Sequence, residues 1–297
     1  MSFKSIFADP LAAQRRPAAG AGDFRSGAAY LFTPEMELAV SAAAATQRPL
    51  LVTGPAGCGK SSLARSTAAR LQWRYLERTV NSRTEISSLL WEIDQLRRLQ
   101  DANLRQLDPD LLAYVRPSVL WQALDEPTSR NPRSLRFDDA GPPPPLDPAV
   151  VLIDEIDKAD PDLPNNLLEV LGGLRFEVAD TGRRVGCRSG VPLIVITSND
   201  ERDLPPAFVR RCIVLNLLQP DLAQVGRLHF PDDGATVTAA LELLADPAAA
   251  PPSAAEFLDF VQACRELKVG PASASWRRLA EACVLKGRSS SAPPRTA

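Results

Sequence analysis

The residues Gly54-Pro55-Ala56-Gly57-Cys58-Gly59-Lys60-Ser61 combine three glycines with a lysine and a hydroxyl in the spacing G-x-x-x-x-G-K-[ST]. Glycines let successive backbone N–H groups turn toward one point, and a following helix N-terminus adds its positive end, so the loop suits phosphate. Lys60 would reach the outer phosphates, the Ser61 hydroxyl would ligate Mg²⁺, and Ser62 would open the helix behind them. In isolation, an ordinary glycine-rich turn between strand and helix would look the same. A second motif separates the two readings.

That motif is Val150-Val151-Leu152-Ile153 followed by Asp154-Glu155-Ile156-Asp157. An unbroken apolar run rich in β-branched residues reads as a strand buried on both faces of a parallel sheet. Carboxylates at the C-terminal edge of such a strand stand where open α/β sheets bind ligands. Asp154 would hold Mg²⁺, directly or through water, and Glu155 would orient and activate an attacking water. Without the glycine loop the pair would read as a solvated strand end. With it, the two motifs predict a nucleotide-hydrolysing core.

Two further stretches stand in the right order. Val191-Pro192-Leu193-Ile194-Val195-Ile196-Thr197 reads as another buried strand, closing on Ser198-Asn199-Asp200. Asn199 could bond the attacking water or the terminal phosphate, although Asn before Asp is also a common turn former. Leu204-Pro205-Pro206-Ala207-Phe208-Val209 reads as a short helix ending in Arg210 and Arg211. At a subunit edge, either arginine could stabilise charge on a neighbour's γ-phosphate. Compensation of the helix C-terminus is the plainer role.

Several elements must position these groups. Pro49–Thr53 is a strand signal leading into the loop, and Ser62–Leu71 a helix signal leaving it. Thr33-Pro34-Glu35 starts a capped helix over 34–47. Trp73–Val80 reads as the second strand. Over 85–103, Ile86, Leu89, Leu90, Ile93, Leu96 and Leu99 recur at helical spacing, which predicts one helix with that face in the core and Trp91 half-exposed. Residues 174–188 read as two extended runs around Asp180-Thr181-Gly182, a hairpin. Residues 126–148, with prolines at 142–145, read as loop or linker. After Leu218 four helical stretches follow, over 223–229, 236–245, 254–267 and 275–285.

The order of glycine loop, carboxylate strand, Asn strand and arginine pair resembles the AAA+ ATPases. GPAGCGKS (54–61), VVLIDEIDKADPDLPNNLLEVL (150–171), IVITSND (194–200) and LPPAFVRRC (204–212) are most similar to the MoxR branch. The resemblance covers roughly residues 30–230. It implies an α/β P-loop NTPase fold, a parallel αβα sandwich with a C-terminal α-helical lid. The divisions are then an N-terminal extension (1–29), a nucleotide-binding core (30–218) with an insert at about 104–149, a helical lid (219–287) and a disordered tail (288–297). Val115–Leu124 resembles the short helix that precedes the carboxylate strand in this branch. The resemblance also implies ATP as nucleotide, the guanine-reading N-K-x-D being absent, and a homo-oligomeric ring, expected to be hexameric, in which Arg210 and Arg211 find their use. MoxR-like proteins resemble chaperones that remodel or activate a client protein, often one with a von Willebrand factor A-type domain. One departure stands out. The lid of this family supplies an arginine at a helix start, whereas the counterpart here reads Ser253-Ala254-Ala255-Glu256; Arg277 or Arg278 would have to substitute.

Composition narrows the rest. A formal charge of −2 with no lysine-rich block argues against sequence-independent nucleic-acid binding. Arginines at 175, 183, 184 and 188 cluster on the hairpin, where a pore-facing role competes with a solvated face. Five cysteines without C-x-x-C spacing suggest reduced thiols, and His229, the sole histidine, has no ligand set around it. Cys58 sits where a helix N-terminus lowers a thiol pKa, although a passive small residue serves the loop equally well. There is no apolar run of about 18 residues and no signal peptide, so a cytoplasmic chain with no membrane contact is expected. Two other functions stay open: a nucleotide-gated switch with little turnover, and the motor subunit of a defence complex.

Overall fold

The structure is a computed structural model and describes residues 3–7, 29–135, 148–245 and 252–285. The chain forms two compact units. Among the described residues the first takes in 3–7, 32–54 and 60–217 (less 136–147), and the second 29–31, 55–59 and 218–285 (less 246–251).

The first unit is built on a five-stranded parallel sheet, β1 (Leu50–Thr53), β2 (Arg74–Thr79), β5 (Ala149–Asp154), β8 (Leu193–Thr197) and β9 (Ile213–Asn216), in the order β2-β5-β8-β1-β9. The three central strands are the apolar runs of the sequence. Val150–Ile153 and Leu193–Thr197 are buried throughout, as strands covered on both faces must be. Edge strand β2 is polar instead, with Glu77 paired to Arg65 and Arg78 to Glu92, which blunts an exposed edge. The flanking helices include α1 (Pro34–Thr46), capped by the Thr33 hydroxyl, which accepts from the Met36 N–H at 3.3 Å, and α2 (Lys60–Leu71), which buries Leu63, Ala64 and Ala68. Residues 3–7 lie on this unit: the Ile6 N–H donates to Ser41 Oγ, and the Arg70 guanidinium sits 3.9 Å from the Phe7 ring centre and 4.4 Å from that of Phe32.

The stretch 85–103 is not one helix. It divides into α3 (Ile86–Leu90), strand β3 (Trp91–Ile93) and α4 (Gln95–Asn103). Trp91 takes extended dihedrals, pairs with Pro117 of β4 (Val115–Pro117) and stacks on Phe176 with ring centres 5.6 Å apart. Asp94 then caps α4 by accepting the Arg97 N–H at 3.0 Å, so a short polar side chain restarts the helix in a new direction. Leu89 and Leu90 are core as expected, whereas Leu96 and Leu99 are 67% and 59% exposed. Helical spacing persisted across a break that it cannot register.

Downstream, α5 (Val119–Leu124) follows β4, so the expected helix over 115–124 begins as a strand. Residues 126–135, expected as loop, carry α6 (Glu126–Arg130) and a 3₁₀ turn (Pro132–Ser134), the first capped by Asp125. The proline run at 142–145 lies outside the described residues. Helix α7 (Leu163–Gly173) leads into the hairpin β6 (Arg175–Val178) and β7 (Arg183–Gly186), and α8 (Pro206–Val209) precedes β9.

In the second unit, α9 (Leu222–His229), α10 (Gly234–Leu244), α11 (Ala254–Glu266) and α12 (Ala274–Cys283) surround a core of Val237, Phe257, Phe260, Val261, Trp276 and Ala280. Phe260 and Trp276 meet edge to face at 5.0 Å. A Cβ on Gly226 would stand 2.7 Å from Val237 Cγ1, so α9 and α10 approach through the missing side chain. Among the described residues no helix is long and apolar enough to cross a membrane.

Candidate functional site

Strand β1 ends at Thr53, and the glycine loop follows before α2 begins at Lys60. Gly57 and Gly59 have φ of +74° and +100°, values that side chains rarely tolerate. Each is also crowded: a Cβ on Gly57 would lie 2.3 Å from Ser253 Cβ, and one on Gly59 3.1 Å from the Tyr30 ring. Pro55, Ala56 and Gly57 are exposed, and Cys58 is buried, its N–H donating to the Pro55 carbonyl. Lys60 is only 7% exposed, and its Nζ donates to the Gly54 carbonyl at 2.7 Å, closing the loop on itself. Ser62 is exposed on the first turn of α2.

Ser61 and Asp154 meet. The serine hydroxyl donates to Asp154 Oδ1 at 2.9 Å from 93 positions away. A hydroxyl and a carboxylate oxygen converging at the start of α2 are the hard oxygen donors that Mg²⁺ takes. The residues present therefore fit the ion. Asp154 ends β5, and its register partner strand β8 ends at Thr197, so the two side chains emerge together. Thr197 Oγ1 donates to the same Asp154 Oδ1.

Beyond Asp154 the chain turns sharply. Glu155 is left-handed (φ 62°, ψ 48°), a conformation costing a non-glycine residue about 1–2 kcal/mol. Its N–H donates to Thr197 Oγ1 at 2.9 Å. Its carboxylate pairs with Lys158 at 2.8 Å, and Asn199 Nδ2 stands 3.5 Å from the same oxygen. The hydrogen bond to Glu155 raises the Lys158 pKa above its ordinary value. Asp157, 3% exposed, accepts the N–H groups of Asn199 and Glu201 at 3.1 Å each.

Ser61, Asp154, Glu155 and Asn199 are thus joined by hydrogen bonds that run through Thr197, while Lys60, beside Ser61, bonds the Gly54 carbonyl. Arg210 and Arg211 are exposed at the end of α8. Neither makes an ion pair or side-chain hydrogen bond among the described residues. In the second unit, Ser253 and Glu256 form a capping box at the start of α11, where no arginine stands, and Arg277 pairs with Glu281 on its own helix. Thr197, Asp157 and Lys158 carry contacts that motif reading did not assign. For Thr197 the available signal was its place at the end of a buried strand beside Asp154.

A buried parallel sheet, a glycine loop running into a helix, and a Ser–Asp pair at the adjacent strand ends define a P-loop nucleotide-binding protein. Residues 49–212, more than half of the chain, match the AAA domain family, dynein-related subfamily. The chain belongs to this family and is an AAA+ ATPase in fold and class. No curated protein matches the sequence. Among solved structures, a candidate ATPase from Cytophaga hutchinsonii is similar, with 13% identity and a TM-score of 0.44 over 67% of this chain and 49% of that one. This chain thus spans about half the length of that protein.

Proposed function

We propose that this protein binds ATP with Mg²⁺ and hydrolyses it, in a ring whose subunits remodel or activate a partner protein in the manner of the MoxR-like branch. The observation that carries the hydrolytic reading is the convergence of Ser61, Asp154, Glu155 and Asn199 at the ends of β5 and β8. To bind phosphate, the Cys58 N–H would leave the Pro55 carbonyl and Lys60 would exchange the Gly54 carbonyl for a phosphate oxygen. Ser61 and Asp154 hold the cation, which supplies neutralisation of phosphate charge. Glu155 accepts a proton from the attacking water, and Asn199 orients that water. Arg210 and Arg211, exposed and unengaged among the described residues, suit a role on a neighbouring subunit's nucleotide. The client, possession of a von Willebrand factor A-type domain by it, and the sixfold ring rest on the MoxR resemblance. The test is phosphate release from ATP by the purified chain, with Mg²⁺ and with EDTA. Release that needs Mg²⁺ supports the reading, and none under any condition contradicts it.

A second reading is favoured by one contact. Glu155 is ion-paired with Lys158 at 2.8 Å, and the start of α11 has no arginine. A nucleotide-gated switch that binds ATP tightly and turns over little would have these features.

A further inference from the structure

We propose that Thr197 and Asp157 are positioning residues, a two-way brace that sets Glu155 against Asn199. The inference rests on the hydrolytic reading above and concerns the side chains that reading does not use.

The outer pairings of the sheet reach Asp154, opposite Thr79, and Thr197, opposite Val52, but the β5–β8 ladder between them stops earlier. Ile153 and Ile196 are the last register partners of β5 and β8. Beyond them the backbone ladder holds neither Glu155 nor Asn199, and both segments turn left-handed, at Glu155 (φ 62°) and Asp200 (φ 58°). Side chains take over from the ladder in both directions. From the Asn strand, Thr197, 1% exposed, donates to Asp154 Oδ1 and accepts the Glu155 N–H with a single hydroxyl. From the 3₁₀ turn that follows the carboxylate strand, Asp157 Oδ2 accepts the N–H groups on both sides of Asp200.

Chemistry argues that these contacts serve placement. A carboxylate buried to 3% exposure costs desolvation, and Asp157 Oδ1 is buried with no hydrogen-bond partner among the described residues. Two N–H groups held by one carboxylate oxygen tie both sides of Asp200 to Asp157, which fixes the loop between them. The Thr197 hydroxyl couples the Mg²⁺-side carboxylate to the backbone of the water-side one, so Asp154 and Glu155 cannot shift independently. Neither Thr197 nor Asp157 bonds Lys60 or Ser61 among the described residues. Their effect reaches the reaction through Asn199 and Glu155, whose side chains stand 3.5 Å apart. Where reacting groups must align, a displacement of about 1 Å costs roughly 100-fold in rate.

The test uses the full chain with Thr197→Val, which keeps the shape and removes the hydroxyl, Thr197→Ser, which restores it, and Asp157→Asn. ATP turnover with Mg²⁺ and amide hydrogen exchange are measured together. Thr197→Val is expected to lower kcat roughly 10–100-fold, as loss of supporting contacts at such sites does, with KM for ATP within about threefold. Thr197→Ser recovers most of kcat. Exchange at the Glu155 amide accelerates in Thr197→Val, and exchange at the Asn199 and Glu201 amides accelerates in Asp157→Asn. Unchanged kcat in Thr197→Val and Asp157→Asn, or equal impairment of the Ser and Val variants, overturns the brace alone. Absence of turnover in the unmodified chain overturns the hydrolytic reading and the brace with it.

Discussion

Ser61 Oγ and Asp154 Oδ1 lie 2.9 Å apart, one opening the helix after the glycine loop and the other closing the strand beside it. The hydroxyl donates to the carboxylate, and a bound cation would take both oxygens as donors. Replacing Asp154 by Asn keeps this shape and removes the charge. Asp154→Asn is expected to weaken the Mg²⁺ dependence of ATP binding and to lower turnover at least about 10-fold, as loss of a metal ligand's charge does. Titration of Mg²⁺ at fixed ATP checks this, and an unaltered Mg²⁺ midpoint would count against Asp154 as a ligand.

Arg210 and Arg211 bear on assembly. If one reaches a neighbour's nucleotide, Arg210→Ala or Arg211→Ala removes most turnover and leaves ATP binding near that of the unmodified chain. Mixing that variant with Glu155→Gln then restores part of the turnover, because some interfaces unite an intact arginine with an intact glutamate. Recovery absent at every mixing ratio would mean that the arginine acts within its own chain or not at all.

Leu89 and Leu96 were equivalent in the spacing of 85–103, and burial separates them, Leu89 being fully buried and Leu96 67% exposed. Leu89→Ala is expected to destabilise by about 2–5 kcal/mol and Leu96→Ala by less than about 0.5 kcal/mol. Urea unfolding of the two variants checks the contrast.

The motifs of the site were legible because their chemistry is local in sequence. A glycine loop needs no distant information, and an apolar run ending in Asp154-Glu155 announces both a buried strand and what stands at its end. What joins the motifs was less legible. Nothing in the text of the chain says that the Thr197 hydroxyl bonds both Asp154, the last residue of another strand, and Glu155 just beyond it, because that depends on the β5–β8 register. Likewise the break at Trp91 depends on an antiparallel partner, Pro117, and on Phe176, a stacking surface from the β6–β7 hairpin. Periodicity reports which residues share a face only while one helix lasts.

The cysteines give a pH prediction. Burial pushes the Cys212 thiol up to about 11, and burial chiefly, with Cys283 nearby, pushes Cys264 to about 11 as well. Each thiol ordinarily ionises near 9, so below that pH folded and unfolded chains bind the same protons at these groups. As pH rises from about 9 toward 11 the unfolded chain loses protons that the folded chain keeps, and stability falls over that window. Thermal unfolding followed from pH 7 to 11 should show a Tm that is level and then declines. Cys212→Ala and Cys264→Ala together should reduce the decline.

The central claim is tested most directly by ATP turnover of the purified chain with Mg²⁺ across protein concentrations, beside Glu155→Gln. The account predicts specific turnover that rises with concentration as subunits assemble, and a Glu155→Gln protein that binds ATP and barely hydrolyses it, with kcat lowered by at least about 100-fold. Equal turnover by the two proteins would contradict Glu155 as the base. Tight binding with no turnover by the unmodified chain at any concentration would contradict the hydrolytic account and leave the nucleotide-gated switch.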